Sequence, residues 1–242
     1  MADPVAPTLV KAAAGDWTEE ITSRHFRELR EERVPIKDVR TVYCSGALFC
    51  PEEVKAMEEI ARALEGAGYS TYLPHRDGVE AFVLNAVNHP LANLLVFLFR
   101  PITRFLSRAT FALDIFQILD CDYFVFNING RVPDEGGVVE TGVAFAAGKP
   151  VVIYRNDMHG ALGRNGNPVL MGASGTFETI DSVEGIPAAL ESLEERLRPL
   201  GKNAYGVDGA PPFVRRVARF GKKVHRVLRM ASFLKPKNMM SA

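Results

Sequence analysis

Cysteine is scarce in this chain: Cys44, Cys50 and Cys121 are the whole supply in 242 residues, with no CxxC pair and no histidine at metal-ligand spacing. That leaves neither a disulfide framework nor a zinc site, so reduced thiols and a cytoplasmic location are expected. Long apolar runs are missing as well. The opening MADPVAPTLVKAAAGDW has no signal-peptide core and no lipidation motif. The most hydrophobic run, LANLLVFLF over 91–99, is bounded by His89-Pro90 and Arg100-Pro101 and falls far short of the roughly 20 apolar residues that span a bilayer. P-loop, GxGxxG and HExxH patterns are absent, which weakens the NTPase, dinucleotide oxidoreductase and zinc-hydrolase readings. The five histidines are scattered and no nucleophile elbow offers a serine to activate. No metal and no cofactor is expected.

What is present is ordinary in amount and uneven in distribution. Acids and bases balance at 29 each, yet residues 201–242 hold ten Lys or Arg against the single acid Asp208. The first 200 residues therefore form an acidic body with 19 bases and 28 acids, and the tail is basic. A chain of this length buries one full core with extensions. We divide it into an N-terminal helical extension (1–36, with a helix near 17–32), a central α/β domain (37–200) and a basic C-terminal tail (201–242).

From Val39 onward short β-rich runs alternate with helical stretches, the mark of βαβ units and a parallel sheet. Strands are expected near 41–45, 69–73, 122–127, 150–154 and 177–180, and helices near 51–65, 108–119, 138–147 and 182–198. In the first helix Pro51 stands at the first turn with Glu52 and Glu53 at the positive end of the dipole, and Val54, Met57, Ile60, Ala61 and Leu64 share one face. The apolar segment 78–106 interrupts the alternation. The expectation is a five-stranded, mainly parallel, doubly wound sheet of Rossmann or flavodoxin-like type with helices on both faces, its ligand crevice at the carboxyl ends of the strands.

Chemistry-bearing residues then belong at strand ends and in the loops that follow them. Glu140 lies in the first turns of a helix entered through Asp134-Glu135-Gly136-Gly137, where an acid is either a dipole partner or a functional carboxylate. Asp134 reads as a turn residue after Pro133 or as a second acid, and Asp122 as a strand-start acid or a site residue. His75-Arg76-Asp77 follows the second strand and reads either as a set of polar contacts to ligand, with Arg76 suited to a phosphate, or as a solvated turn. Gly46 suits a close approach of backbone to ligand. Asn167 either lines the site or belongs to a turn-rich surface loop.

Several motifs, in order, resemble the nucleoside 2-deoxyribosyltransferase family over about residues 42–174. VYCSGALF is similar to that family's opening strand and aromatic loop, and GVVETGVAFAAGKPVV to its nucleophile helix. The upstream PDE and the acid in CDYFVF fall at family spacings. The resemblance implies that Glu140 attacks the anomeric carbon of the sugar. It also implies that Asp122 and Asp134 bind and protonate the base, that Tyr43 hydrogen-bonds the nucleophile beside the sugar, and that Phe49 stacks near the base.

The implied reaction is cleavage of an N-glycosidic bond in a nucleoside or nucleotide, through a covalent sugar on Glu140, with transfer of the sugar to a free nucleobase or to water. Tyr43 resembles the residue of members that accept 2-deoxyribose, and a homo-oligomer is implied because neighbouring subunits complete such sites. The opposed reading is a non-catalytic nucleotide-binding or regulatory module on the same fold. In the tail, Phe213, Val217, Phe220, Val224, Val227, Leu228 and Ala231 recur at helical spacing among seven bases, a pattern open to anionic lipid, to nucleic acid, or to packing on the acidic body or a partner subunit.

Overall fold

The computed structural model describes residues 39–79, 81, 100–130, 133–157, 166–197 and 205–233. The helix expected near 17–32, and most of the apolar segment 78–106, lie outside the described residues.

Four strands make one parallel sheet: β1 (Thr41–Gly46), β2 (Ser70–Tyr72), β3 (Tyr123–Asn127) and β4 (Val151–Tyr154), in the order β2-β1-β3-β4. Val42 pairs with Thr71 on one side and with Tyr123 on the other, and Phe124 pairs with Val151. Each parallel step requires a crossover, and helices supply them. Helix α1 (Pro51–Gly66) joins β1 to β2, the short α2 (Pro74–Asp77) and the long α3 (Arg100–Asp120) lie between β2 and β3, and α4 (Glu135–Ala146) joins β3 to β4. After β4 come α5 (Pro168–Gly172), α6 (Ile186–Leu197), a 3-10 turn (Val207–Gly209) and α7 (Pro212–Phe233).

The sheet is four-stranded rather than the five-stranded one expected. The fifth expected strand, near 177–180, shrinks to a single bridge between Ile180 and Tyr154. Phe177 has φ of 60°, a left-handed conformation that no strand tolerates, and the Glu178 amide donates to Thr176 Oγ1 (3.2 Å) instead of a ladder partner. Only Ile180 reaches the sheet, through Arg155 N to Ile180 O (2.8 Å) and Ile180 N to Ile153 O (2.9 Å).

Side-chain alternation along β1 divides the core. Val42 and Cys44 enter an apolar layer with Met57, Ile60, Ala61 and Leu64 of α1 and Ile186 and Leu190 of α6. Tyr43 enters the opposite layer with Ile118, Phe124, Phe126, Ala144 and Ile153. All five residues of β3 are buried, as a central strand covered on both faces requires.

Helix starts follow local chemistry. Pro51 opens α1, and Glu53 accepts from the Phe49 (2.7 Å) and Cys50 (3.2 Å) amides. Helix α3 begins eight residues before the expected start.

The tail helix α7 packs on α3. Phe105 and Phe220 meet edge to face at 6.2 Å, and Gln117 Nε2 and His225 Nδ1 are 2.7 Å apart. Gly221 makes the approach possible: a Cβ there would lie 1.8 Å from the carbonyl oxygen of Ala112.

Candidate active site

In this strand order the chain leaves β1 toward β2 on one side and returns to β3 on the other, which opens a crevice above the carboxyl ends of β1 and β3. Helix α4 begins there. Asp134 is its N-cap, with Oδ2 accepting from the Gly137 amide at 2.6 Å. Gly137 is buried where the helix meets the sheet: a Cβ on it would stand 2.3 Å from Phe126 Cε2 and 2.9 Å from Ser45 Oγ. The missing side chain brings the next turn, with Glu140, down onto β1.

Glu140 is held by both oxygens. Tyr43 Oη donates to Oε1 at 2.9 Å and Ser45 Oγ donates to Oε2 at 2.6 Å. Tyr43 and Ser45 are two residues apart on β1, hence on the same face of the sheet. Both are buried, whereas Glu140 is partly exposed. The Tyr43 ring stacks on Phe124 with centroids 5.4 Å apart and lies 5.2 Å from the Tyr72 ring. Burial pushes the Tyr43 phenol well above its ordinary value, and the nearby carboxylates of Glu140 and Asp114 push it further the same way. Tyr43 therefore keeps its proton and remains a donor.

Two of these residues were not among the sequence candidates. Ser45 was legible as a small polar residue on the Tyr43 face of the strand. Asp114 sits on α3 within FALDIFQIL, and its Oδ1 is buried. An acid inside an otherwise apolar helical run is the signal that points to it, since burying a carboxylate is costly.

The other candidates are distributed as follows. Asp122 is not in the site. It precedes β3, and its Oδ2 accepts from the Thr41 amide (2.8 Å) at the amino edge of the sheet, about 16 Å along the strand from Asn127. An acid that opens a parallel strand lies at the edge opposite the crevice. Asp134 stands at the crevice end of α4, six residues or about 9 Å along the axis from Glu140. Phe49, on the loop after β1, is 84% exposed.

Packing favours Gly46, because a Cβ would meet Met57 Sδ at 2.7 Å and Asn127 Cβ at 3.1 Å. Arg76 is not available for a phosphate. Its guanidinium donates to Asp77, to Glu65 Oε1 (3.0 Å) and to the Thr71 carbonyl (2.9 Å). Asp77 also accepts from the Leu73 amide at 3.0 Å, so it closes its own turn. His75 has both ring nitrogens buried, and loss of water lowers its pKa. Asn167 caps α5, accepting from the Val169 amide at 2.9 Å.

A doubly wound α/β fold with a doubly clamped carboxylate at its switch point is an arrangement that can present that carboxylate to a ligand in the crevice. Comparison with known families is specific. The nucleoside 2-deoxyribosyltransferase family matches residues 42–240, and the chain belongs to that family. Twelve chains of solved structures match it. One, a conserved protein from Enterococcus faecalis V583, is 20% identical, covers 65% of this chain and 99% of its own, and has a TM-score of 0.43. A comparison with curated proteins finds no match.

Proposed function

We propose that this protein cleaves the N-glycosidic bond of a nucleoside or nucleotide and passes the sugar to another base or to water, with Glu140 as the nucleophile. The observation that carries this reading is the clamp on Glu140, one donor to each oxygen at 2.9 and 2.6 Å. Two fixed donors orient the carboxylate and favour its charged form, the state that can attack.

In the first step a Glu140 oxygen bonds to the anomeric carbon while the bond from that carbon to the base nitrogen breaks, and the base leaves with the electron pair. Asp134 is assigned the proton for that nitrogen: its cap bond uses one carboxylate oxygen, and it stands at the crevice end of the same helix. In the second step a base or a water attacks the same carbon, its proton passes to the Asp134 carboxylate left by the first step, and the Glu140 carboxylate departs. Two displacements retain the configuration. The buried Tyr43 phenol beside Glu140 occupies space near C2 of the sugar, which favours 2-deoxyribose. Burial first, and then the charges of Glu140 and Asp114, oppose ionisation of Tyr43 and keep its proton in place.

The test is intact-protein mass spectrometry with a slow 2-fluoro nucleoside, followed by peptide mapping. The sugar is expected on Glu140. Glu140→Ala should lower kcat by several powers of ten while substrate affinity changes far less, since nucleophilic and acid-base contributions each amount to about 10²-fold or more. A label on another residue, or full activity in Glu140→Ala, would overturn the assignment. Absence of turnover with every nucleoside and nucleotide would favour a binding module.

A further inference from the structure

Helix α7 carries seven bases, Arg215, Arg216, Arg219, Lys222, Lys223, Arg226 and Arg229, and no acid in its 22 residues. At about 100° per residue, the seven fall within one arc of about 140°. The rest of the helix circumference is occupied differently. Val217, Ala218, Phe220 and Gly221 are buried, and Gly221 meets the backbone of Ala112. The packing on α3 fixes which way the helix is turned: Arg216, Arg219 and Arg229 are exposed and Lys222, Lys223 and Arg226 half-buried, while Arg215 donates to the Ala210 carbonyl at 3.0 Å. Arg219 pairs with Asp208 at 3.6 Å, and Asp208 is itself exposed.

One border of the basic arc is not purely charged. Phe213 is 62% exposed, and Val227 and Met230 are exposed as well. On the helical wheel Val227 and Met230 interleave with Arg216 and Lys223 over about 60°, and Phe213 stands beyond the buried Phe220, exposed at the first turn of the helix. These large apolar side chains belong to a helix whose opposite side is already covered, and among the described residues they stay exposed. They suit a surface that has phosphates at one level and hydrocarbon just beneath it. A nucleic acid backbone would satisfy the bases but offers little to a valine and a methionine. The acidic balance of the first 200 residues makes the charge a local feature of this face and not a general property of the molecule.

We propose that the outer face of α7 is a docking surface for an anionic lipid bilayer, on which the helix lies flat along its roughly 33 Å length. None of the described helices is long and apolar enough to cross a membrane, so the contact is peripheral. The proposal is independent of the reaction assigned to Glu140.

The experiment uses the full chain in flotation assays with vesicles of phosphatidylcholine alone or with about one third phosphatidylserine, and fluorescence anisotropy with a short DNA duplex and a short RNA. Binding to the phosphatidylserine vesicles is expected to exceed binding to phosphatidylcholine at least tenfold and to fall with added salt. Arg216→Glu with Lys223→Glu should lower vesicle binding at least tenfold. Phe213→Ser with Met230→Ser, which keeps every base, should also weaken it. Arg216, Lys223 and Met230 lie on the outer arc and Phe213 is exposed at the first turn, and circular dichroism checks the fold of each variant. Equal binding to both vesicle types, no vesicle binding, or nucleic acid binding that is tighter and insensitive to the Phe213 and Met230 changes would each overturn the proposal.

Discussion

Glu140 has one oxygen on a phenol and the other on a serine hydroxyl, and the two donors differ in what they can do. Tyr43 stands among aromatic rings that fix its direction, and Ser45 fills the small space that Gly137 leaves. Removing the Ser45 hydroxyl should free Oε2 and let the carboxylate turn. A hydrogen bond to a charged group is worth about 1.5–3 kcal/mol, so Ser45→Ala is expected to lower kcat by about tenfold to hundredfold with little change in KM. Asp122→Ala is the contrasting case. Its carboxylate accepts from Thr41 at the far edge of the sheet, so the variant should keep kcat within about twofold and lose about 1 kcal/mol of stability in urea unfolding. Steady-state kinetics and denaturation on both variants check the pair, and the reverse pattern would show that the site had been placed at the wrong edge.

At the scale of the element, α4 has two faces with different tasks. Gly137, Thr141 and Ala144 are buried against the sheet, and Glu140 lies beside them at the crevice. On the opposite face Val138, Val139 and Phe145 are all exposed, with Phe145 at 53%. Helical spacing joins them with Gly142 and Ala146 into one apolar stripe, on the same helix as the proposed nucleophile. An apolar stripe in water marks an interaction site, and we expect a second copy of the chain to cover it. Sedimentation equilibrium at micromolar concentration should show a homo-oligomer, and Phe145→Asp should yield monomer. A wild-type chain that stays monomeric would refute this expectation.

Across the whole molecule, three tyrosines of the sheet region carry the same electrostatic signature. Burial raises the phenols of Tyr43, Tyr69 and Tyr123, with Glu140, Glu191 and Glu194 respectively adding to the effect. A folded-state pKa above that of the unfolded chain contributes stability that is fully present below the unfolded value. That stability is lost as pH rises toward the folded values, because the unfolded chain releases its protons first. For tyrosine the loss therefore begins near pH 10. Urea unfolding followed from pH 8 to 11 should show stability falling above about pH 10, and Tyr43→Phe should make the fall shallower. A variant with an unchanged slope would mean that the Tyr43 phenol ionises as freely in the folded protein as in the unfolded one. Below that range Tyr43 keeps the proton it donates to Glu140, so alkaline inactivation near neutral pH would have to come from another group.

Much of the architecture is local in origin and could be read from the chain alone. Hydrophobic alternation, the proline at the start of α1, and the Asp134 cap with its glycines mark a parallel α/β sheet, and Glu140 stands out in the first turns of α4. The family resemblance belongs to the same level, because motif order is a property of the chain. Other features depend on what lies across the sheet and have no local signal. Asp122 looked like a site residue by spacing, yet the direction of β3 puts it at the amino edge. Arg76 looked free for a phosphate, yet Glu65 on α1 and Thr71 on β2 occupy its guanidinium. Phe177 sits in a run that reads as a strand, but its left-handed turn ends the sheet at a single bridge. Ser45 and Asp114 gain meaning only because the fold brings Ser45 on β1 against Glu140, and Asp114 on α3 near Tyr43. Periodicity and capping act between residues a few positions apart, which is why the sequence by itself determined the elements. Hydrogen-bond partners and desolvation are set by groups distant in sequence, and those only the tertiary structure decided.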